Sequence, residues 1–199
     1  MTKAGIGDEP GGREPLRPDP VDMRGIPMLA DAPGRLLMTS LPGGPRDRGH
    51  GPPGRLDEDA ATLREVGAHR LVLLVEDTEL DRYSTAGIVA TMAAHGIVVE
   101  RHPVPDMGTP SDRPAFLALL DATIERVRAG STVVVACLGG YGRTGTTVAS
   151  LLVRAGLTPD DAIARTRACR PGTIERPAQL EFVRSLGWRP VSLRVPPRR

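Results

Sequence analysis

The stretch "CLGGYGRTG" at 137–145 sets one cysteine ahead of three glycines, an arginine and a threonine. An apolar run, "STVVVA", precedes it, and a helical pattern follows. Gly139, Gly140 and Gly142 allow the backbone to curl so that several N–H groups point inward. The positive end of a helix starting near Thr144 faces the same point, which makes an anion cradle. Arg143 adds a planar fork of donors matched to tetrahedral phosphate oxygens. Cys137 sits at the base of that field, and cysteines at helix N-termini can have pKa values lowered from about 8.5 to roughly 3.5–7.5. A thiolate under a bound phosphate is a nucleophile aimed at phosphorus.

Simpler readings of the same residues are weaker. A cysteine at a strand end is most often a small apolar filler, but that reading leaves the glycines and the arginine unexplained. A dinucleotide fingerprint needs G-x-G-x-x-G and a P-loop needs Gly-Lys-Ser/Thr; neither occurs here. The sequence has 26 basic and 24 acidic residues in 199, so it lacks the clustered basic excess of a nucleic-acid binder. Two cysteines, Cys137 and Cys169, cannot form a disulfide framework and suit a reducing compartment. No apolar run approaches the roughly 20 residues of a membrane span, and the N-terminus lacks an apolar signal core. A soluble, cytoplasmic protein without a membrane partner is expected. His50, His69, His95 and His102 are scattered, so neither a metal nor another cofactor is implied.

The elements that must carry the cradle follow from the apolar pattern. Short runs rich in Val, Leu and Ile at 35–39, 70–75, 97–104 and 131–137 read as strands. Helices are expected at 56–66, 80–95, 113–128, 144–155, 159–169 and 177–186. Thr158 ahead of Pro159, and Ser111 or Asp112 ahead of Pro114, are suitable caps. Strands alternating with helices predict a single α/β domain over 35–190. Its mostly parallel central sheet should hold four to five strands with helices on both faces. The Pro/Gly-rich stretch 1–34 reads as a tail without regular structure, and 191–199 as a short basic C-terminal tail. In such a sheet the ligand loops lie at the carboxyl ends of strands, which gathers 76–80, 105–110 and 137–143 on one rim. Asp77 and Glu79 fall on this rim, where loop acids are ordinarily solvated. Asp106 also falls there; in a Pro/Gly loop a turn aspartate is the bland reading, but its place at the rim favours a chemical role.

"CLGGYGRTG" resembles the C-x5-R-[ST]-G signature of cysteine-dependent protein phosphatases of the dual-specificity type. "LPG" at 41–43, "EDTELDRY" at 76–83, "HPVPDMGTP" at 102–110 and "RPGTIERPAQLEFV" at 170–183 match the cyclin-dependent kinase-associated subgroup in order and spacing. The resemblance covers roughly residues 35 to 186. It implies a two-step hydrolysis of phosphomonoesters through a phosphocysteine intermediate. On this likeness Cys137 is the nucleophile, Arg143 the phosphate clamp and Asp106 the general acid. Leu138, Gly139, Gly140, Tyr141 and Gly142, with Arg143, form the phosphate-binding loop. Thr144 is the hydrogen-bond donor to the departing sulfur, and Gln179 positions the attacking water.

The chain departs from the pattern at Ala136, where the family places a histidine that orders the loop. Slower catalysis is the implication. The five residues between Cys137 and Arg143 include no cation, whereas phosphatases of inositol phosphates often carry lysines there. A phosphorylated protein or peptide is therefore the expected partner, with phosphotyrosine and phosphoserine or phosphothreonine both open. A module that binds phosphorylated partners without hydrolysing them, and a phosphatase of a small molecule, remain as alternatives.

Overall fold

The computed structural model describes residues 14–46 and 54–187. Its sheet is built from β1 (Asp19–Pro20), β2 (Arg35–Ser40), β3 (Arg70–Leu73), β4 (Val98–Arg101) and β5 (Thr132–Cys137) in the order β1-β2-β5-β3-β4. All neighbours run parallel except the β1–β2 pair. The central strand β5 is buried along its whole length, as a continuous Val-rich run covered on both faces must be.

The helices are α1 (Leu56–Glu65), α2 (Asp77–Arg82), α3 (Ile88–Ala94), α4 (Arg113–Arg128), α5 (Gly142–Arg154), α6 (Pro159–Cys169) and α7 (Pro177–Arg184). The crossovers β2–α1–β3 and β3–α3–β4 step one way along the sheet, and β4–α4–β5 steps back. With one handedness for every parallel crossover, that reversal puts α1 and α3 on one face and α4 on the other. Helix α4 packs on α5, which also touches α6 and α7. The expected single α/β domain with both faces covered is what forms. The expected caps form too: Asp112 Oδ1 accepts from Ala115 N at 3.0 Å, and Thr158 Oγ1 from Asp161 N at 3.2 Å.

Two expectations need correction. The single helix expected at 80–95 is two, because Ser84 takes a left-handed backbone (φ 55°) and Thr85 N turns back to Leu80 O. The stretch expected as a tail up to residue 34 is part of the domain from residue 14 onward. Leu16, Val21, Ile26 and Leu29 are buried in the core, each contributing roughly 1.5–3 kcal/mol on full burial. Pro20 fits because β1 is an edge strand, where a missing N–H leaves no ladder bond unmade. Arg165 Nη1 donates to the carbonyls of Asp22 and Arg24, at 3.0 Å each, and ties this segment to α6. The boundaries expected at 190 and 191–199 lie outside the described residues, as does His50.

Candidate active site

Strand β5 delivers Cys137 to the rim and α5 leaves from it, with only 138–141 between them. The helix starts at Gly142, earlier than the expected Thr144, because Gly145 N already donates to Tyr141 O at 2.9 Å. Gly140 has φ 77°, and a Cβ there would sit 2.6 Å from Thr39 O. At Gly142 a Cβ would meet Glu175 Oε2 at 2.8 Å and Gln179 Nε2 at 3.0 Å. Glycine is therefore required at 140 by its positive φ and the close approach of the β2 backbone, while a side chain at 142 would press on the ends of Glu175 and Gln179. Leu41 N donates to Leu138 O and Ile174 N to Tyr141 O, at 3.1 and 3.3 Å, so loops on both sides hold the cradle. Ala136 is fully buried and has no polar side-chain atom to add. The loop's order rests on these backbone contacts instead.

Arg143 is buried, and its guanidinium is held from three directions. Nη1 donates to Glu79 Oε2 (2.6 Å) and to Val104 O (3.1 Å), and Nη2 donates to Glu79 Oε1 (2.7 Å). Asp106 Oδ1 lies 3.0 Å from Nη2. Burial works against the guanidinium's charge. The hydrogen bonds to Glu79 and the negative groups Cys137, Glu79 and Asp106 more than offset it, so Arg143 is held further toward its protonated form. Glu79 is the residue that sequence reading undervalued. It is not a solvated rim acid: its side chain is 12% exposed and fixed at both ends. Glu76 N donates to Glu79 Oε2 at 2.9 Å in a capping box at the start of α2. The E-x-x-E spacing in "EDTE" was the available signal.

The loop after β4 brings Asp106 over the cradle, its side chain half exposed. Met107, next in the chain, has φ 57°, and Gly108 N donates to Pro105 O at 2.9 Å. Gln179, buried on α7, clamps this turn. Its Nε2 donates to Gly108 O at 3.1 Å, while Oε1 accepts from Glu175 N (3.0 Å) and Arg176 N (3.3 Å). Thr144 is buried beneath the cradle, and its Oγ1 has no hydrogen-bond partner among the described residues. The proposed site residues therefore converge. Cys137, Leu138, Gly139, Tyr141, Gly142, Arg143, Asp106 and Gln179 line one cleft of about 320 Å³, and Gly140 forms the loop's turn behind it. Arg82, Tyr83, Met107 and Glu175 complete its walls and were not expected from the sequence.

Glu79→Gln keeps the size of this strut and removes its charge. We expect a loss of about 1–3 kcal/mol of stability at neutral pH and roughly tenfold or more in kcat/KM, as Arg143 loses its bidentate anchor. Burial opposes the Glu79 carboxylate, but the bonds from Arg143 and Glu76 N and the charge of Arg143 outweigh it and hold its pKa below the usual 4.5. A carboxyl with a lowered folded value stabilises fully above its unfolded value, and that stability is lost as pH falls through the folded value. Denaturant titrations should thus show a gap between the parent and Glu79→Gln at pH 7 that closes on acidification below about pH 4.5. A gap independent of pH would show that the ion pair does not stabilise the fold.

Comparison with known proteins agrees with this geometry. Residues 49–157 match the family described as "Tc-R-P: Polymorphic toxin system, DSP-PTPase phosphatase". Over 131 residues the chain is 25% identical to the Rattus norvegicus protein named cyclin-dependent kinase inhibitor 3; the match covers 64% of this chain and 61% of that one. Among solved structures, kinase associated phosphatase superposes with a TM-score of 0.76 at 20% identity, covering 86% of this chain and 94% of that one. Tk-PTP superposes with a TM-score of 0.61 at 31% identity, covering 77% and 91%. In this chain that fold brings Cys137, Arg143 and the glycine loop to one sheet rim. The chain thus belongs to the family of DSP-PTPase phosphatases of polymorphic toxin systems, and it resembles the cyclin-dependent kinase inhibitor 3 proteins over part of their length.

Proposed function

We propose that the chain hydrolyses phosphotyrosine and phosphoserine or phosphothreonine monoesters of proteins through a phosphocysteine at Cys137. The observation that carries this reading is the convergence of Cys137, Arg143 and Asp106 on one cleft beneath the N-terminus of α5. The phosphate seats on the N–H groups of 138–142 and on Arg143. The Sγ of the thiolate attacks phosphorus, the P–O ester bond breaks, and Asp106 gives its proton to the leaving oxygen. In the second step water attacks phosphorus and gives a proton to Asp106. The S–P bond breaks, releasing inorganic phosphate and restoring the thiolate.

Asp106 also lies against Arg143. A phosphate dianion on Arg143 competes for that guanidinium and frees Asp106 for the leaving group. Thr144, buried with an unused hydroxyl, is the donor that eases departure of the sulfur. Gln179 has spent its oxygen and one N–H on the loops, so its remaining N–H is what it offers to the attacking water. Both cysteines are free thiols, which suits work in the reducing cytoplasm. No helix among the described residues is long and apolar enough to cross a membrane.

Release of phosphate from 4-nitrophenyl phosphate and from phosphotyrosine and phosphothreonine peptides tests the reading. Acid-quenched reactions should carry one added phosphoryl group on the peptide containing Cys137. Tight phosphopeptide binding without turnover of any ester would overturn it in favour of a binding module.

A further inference from the structure

Arg143 is held by two arms that leave the sheet separately. One is Glu79, on the first turn of α2; the other is the Val104 carbonyl, on the loop after β4. The sheet itself secures the second arm, since His102 N donates to Leu73 O and Val104 N to Leu74 O, at 3.0 and 2.9 Å. The first arm has less to hold it. Helix α2 is six residues long and buries Leu80 alone, and a helix so short does not keep its place in water by its own hydrogen bonds. Its capping box fixes Glu79 to the start of the helix, not the helix to the sheet.

Arg101, the last residue of β4, makes that connection. Its Nη2 donates to Val75 O at 2.9 Å, and its Nη1 pairs with Asp77 Oδ1. The two bonds straddle Glu76, the N-cap of α2, so they fix both where the helix begins and the direction it takes. A planar fork can serve two acceptors in this way, as a single ammonium cannot. Nε is buried without a hydrogen-bond partner among the described residues, so the fork is turned toward 75 and 77 at the expense of its third donor. The Asp77 side chain is 80% exposed, and an ion pair with so exposed a partner adds little to stability. What the contact decides is geometry. The neighbouring residue of β4, Glu100, pairs with Arg126 on α4 and has no link to α2, which supplies a control on the same strand.

We propose that Arg101 is a positioning residue for phosphate hydrolysis: through Val75 and Asp77 it sets α2, and through α2 the angle at which Glu79 presents Arg143 to the phosphate. It rests on the phosphatase reading, and it gives Asp77 a task on the rim.

Arg101→Gln should lower kcat/KM on 4-nitrophenyl phosphate roughly tenfold, inside the about 10²-fold that a 1 Å misplacement can cost. The loss should fall equally on alkyl and aryl esters, because the phosphate clamp serves both. A loss confined to alkyl esters would make Arg101 a support of the acid loop and overturns the proposal. On a Glu79→Gln background the same substitution should change kcat/KM by less than about twofold, since the strut it serves is already gone. Arg126→Gln should leave kcat/KM within about twofold of the parent. A general structural role requires the same loss on both backgrounds and a similar loss from Arg126→Gln; either result overturns the proposal. Asp77→Ala changes an exposed side chain, so it keeps the test open should Arg101→Gln fail to fold. It should lower kcat/KM in the same direction and show the same coupling to Glu79→Gln, and an Asp77→Ala variant that matches the parent counts against Arg101. Should no ester be hydrolysed, it is the phosphatase reading that fails. Calorimetric titration of a phosphotyrosine peptide into Cys137→Ser, with and without Arg101→Gln, then decides the matter without turnover: weaker binding to the double variant supports the positioning role, and equal affinities overturn it.

Discussion

Cys137→Ser is expected to lower kcat on phosphomonoesters by roughly 10⁴-fold or more, the scale on which removing a covalent nucleophile acts, while phosphopeptide binding persists. A serine hydroxyl is hardly ionised at neutral pH, so no anion attacks phosphorus. The groups that bind phosphate do not depend on the sulfur. Arg143 is held by Glu79 and the Val104 carbonyl, and the cradle is held by Leu41 and Ile174. The exchange is nearly isosteric at a buried position, so unfolding should shift little. Single-turnover kinetics and titration calorimetry measure the two halves separately. More than a trace of turnover in the serine variant would remove Cys137 from the nucleophile's role, and loss of binding would show that the sulfur organises the cradle.

What could be read from the sequence divides along physical lines. Strand β5 is a run of β-branched residues, and α5 follows a glycine turn; both patterns are local, so the cradle's place was legible. The order of the loops on one rim followed from the α/β alternation. Glu79 was misread because exposure is a tertiary property. In isolation it is an acid in a polar loop, and only the packing of α2 against the cradle brings its carboxylate to Arg143. The segment 14–34 was misread for the opposite reason. Its prolines and glycines dominated the composition, while four apolar residues, Leu16, Val21, Ile26 and Leu29, sufficed to dock it. The split between α2 and α3 turns on one left-handed serine, Ser84, which no propensity favours. At Gln179 the sequence supplied the residue and a role in positioning water, but not its contact with the acid loop. The bond to Gly108 O makes it a clamp on the acid loop, a relation between helices that composition does not encode.

That clamp bears on the second large effect. Asp106→Asn should depress hydrolysis of alkyl phosphates by roughly 10²–10⁴-fold, the usual contribution of general acid catalysis, and that of activated aryl phosphates far less. A nitrophenolate leaves without a proton, whereas an alkoxide does not. The substitution also removes the carboxylate that competes with phosphate for Arg143, so the variant should bind phosphopeptides no more weakly than the parent. The limb of the kcat/KM profile that falls at high pH, which reports an acid that must keep its proton, should vanish on alkyl substrates because an amide has none to lose. Gln179→Ala, by releasing the Pro105–Gly108 turn from α7, should show the same dependence on leaving group at smaller amplitude. If Gln179 served only to place water, its loss would instead slow breakdown of the phosphocysteine equally for all leaving groups and produce a burst of the first product. Equal losses on alkyl and aryl esters for Asp106→Asn would assign that carboxylate to holding Arg143 in place, and the proton for the leaving oxygen would have to come from elsewhere.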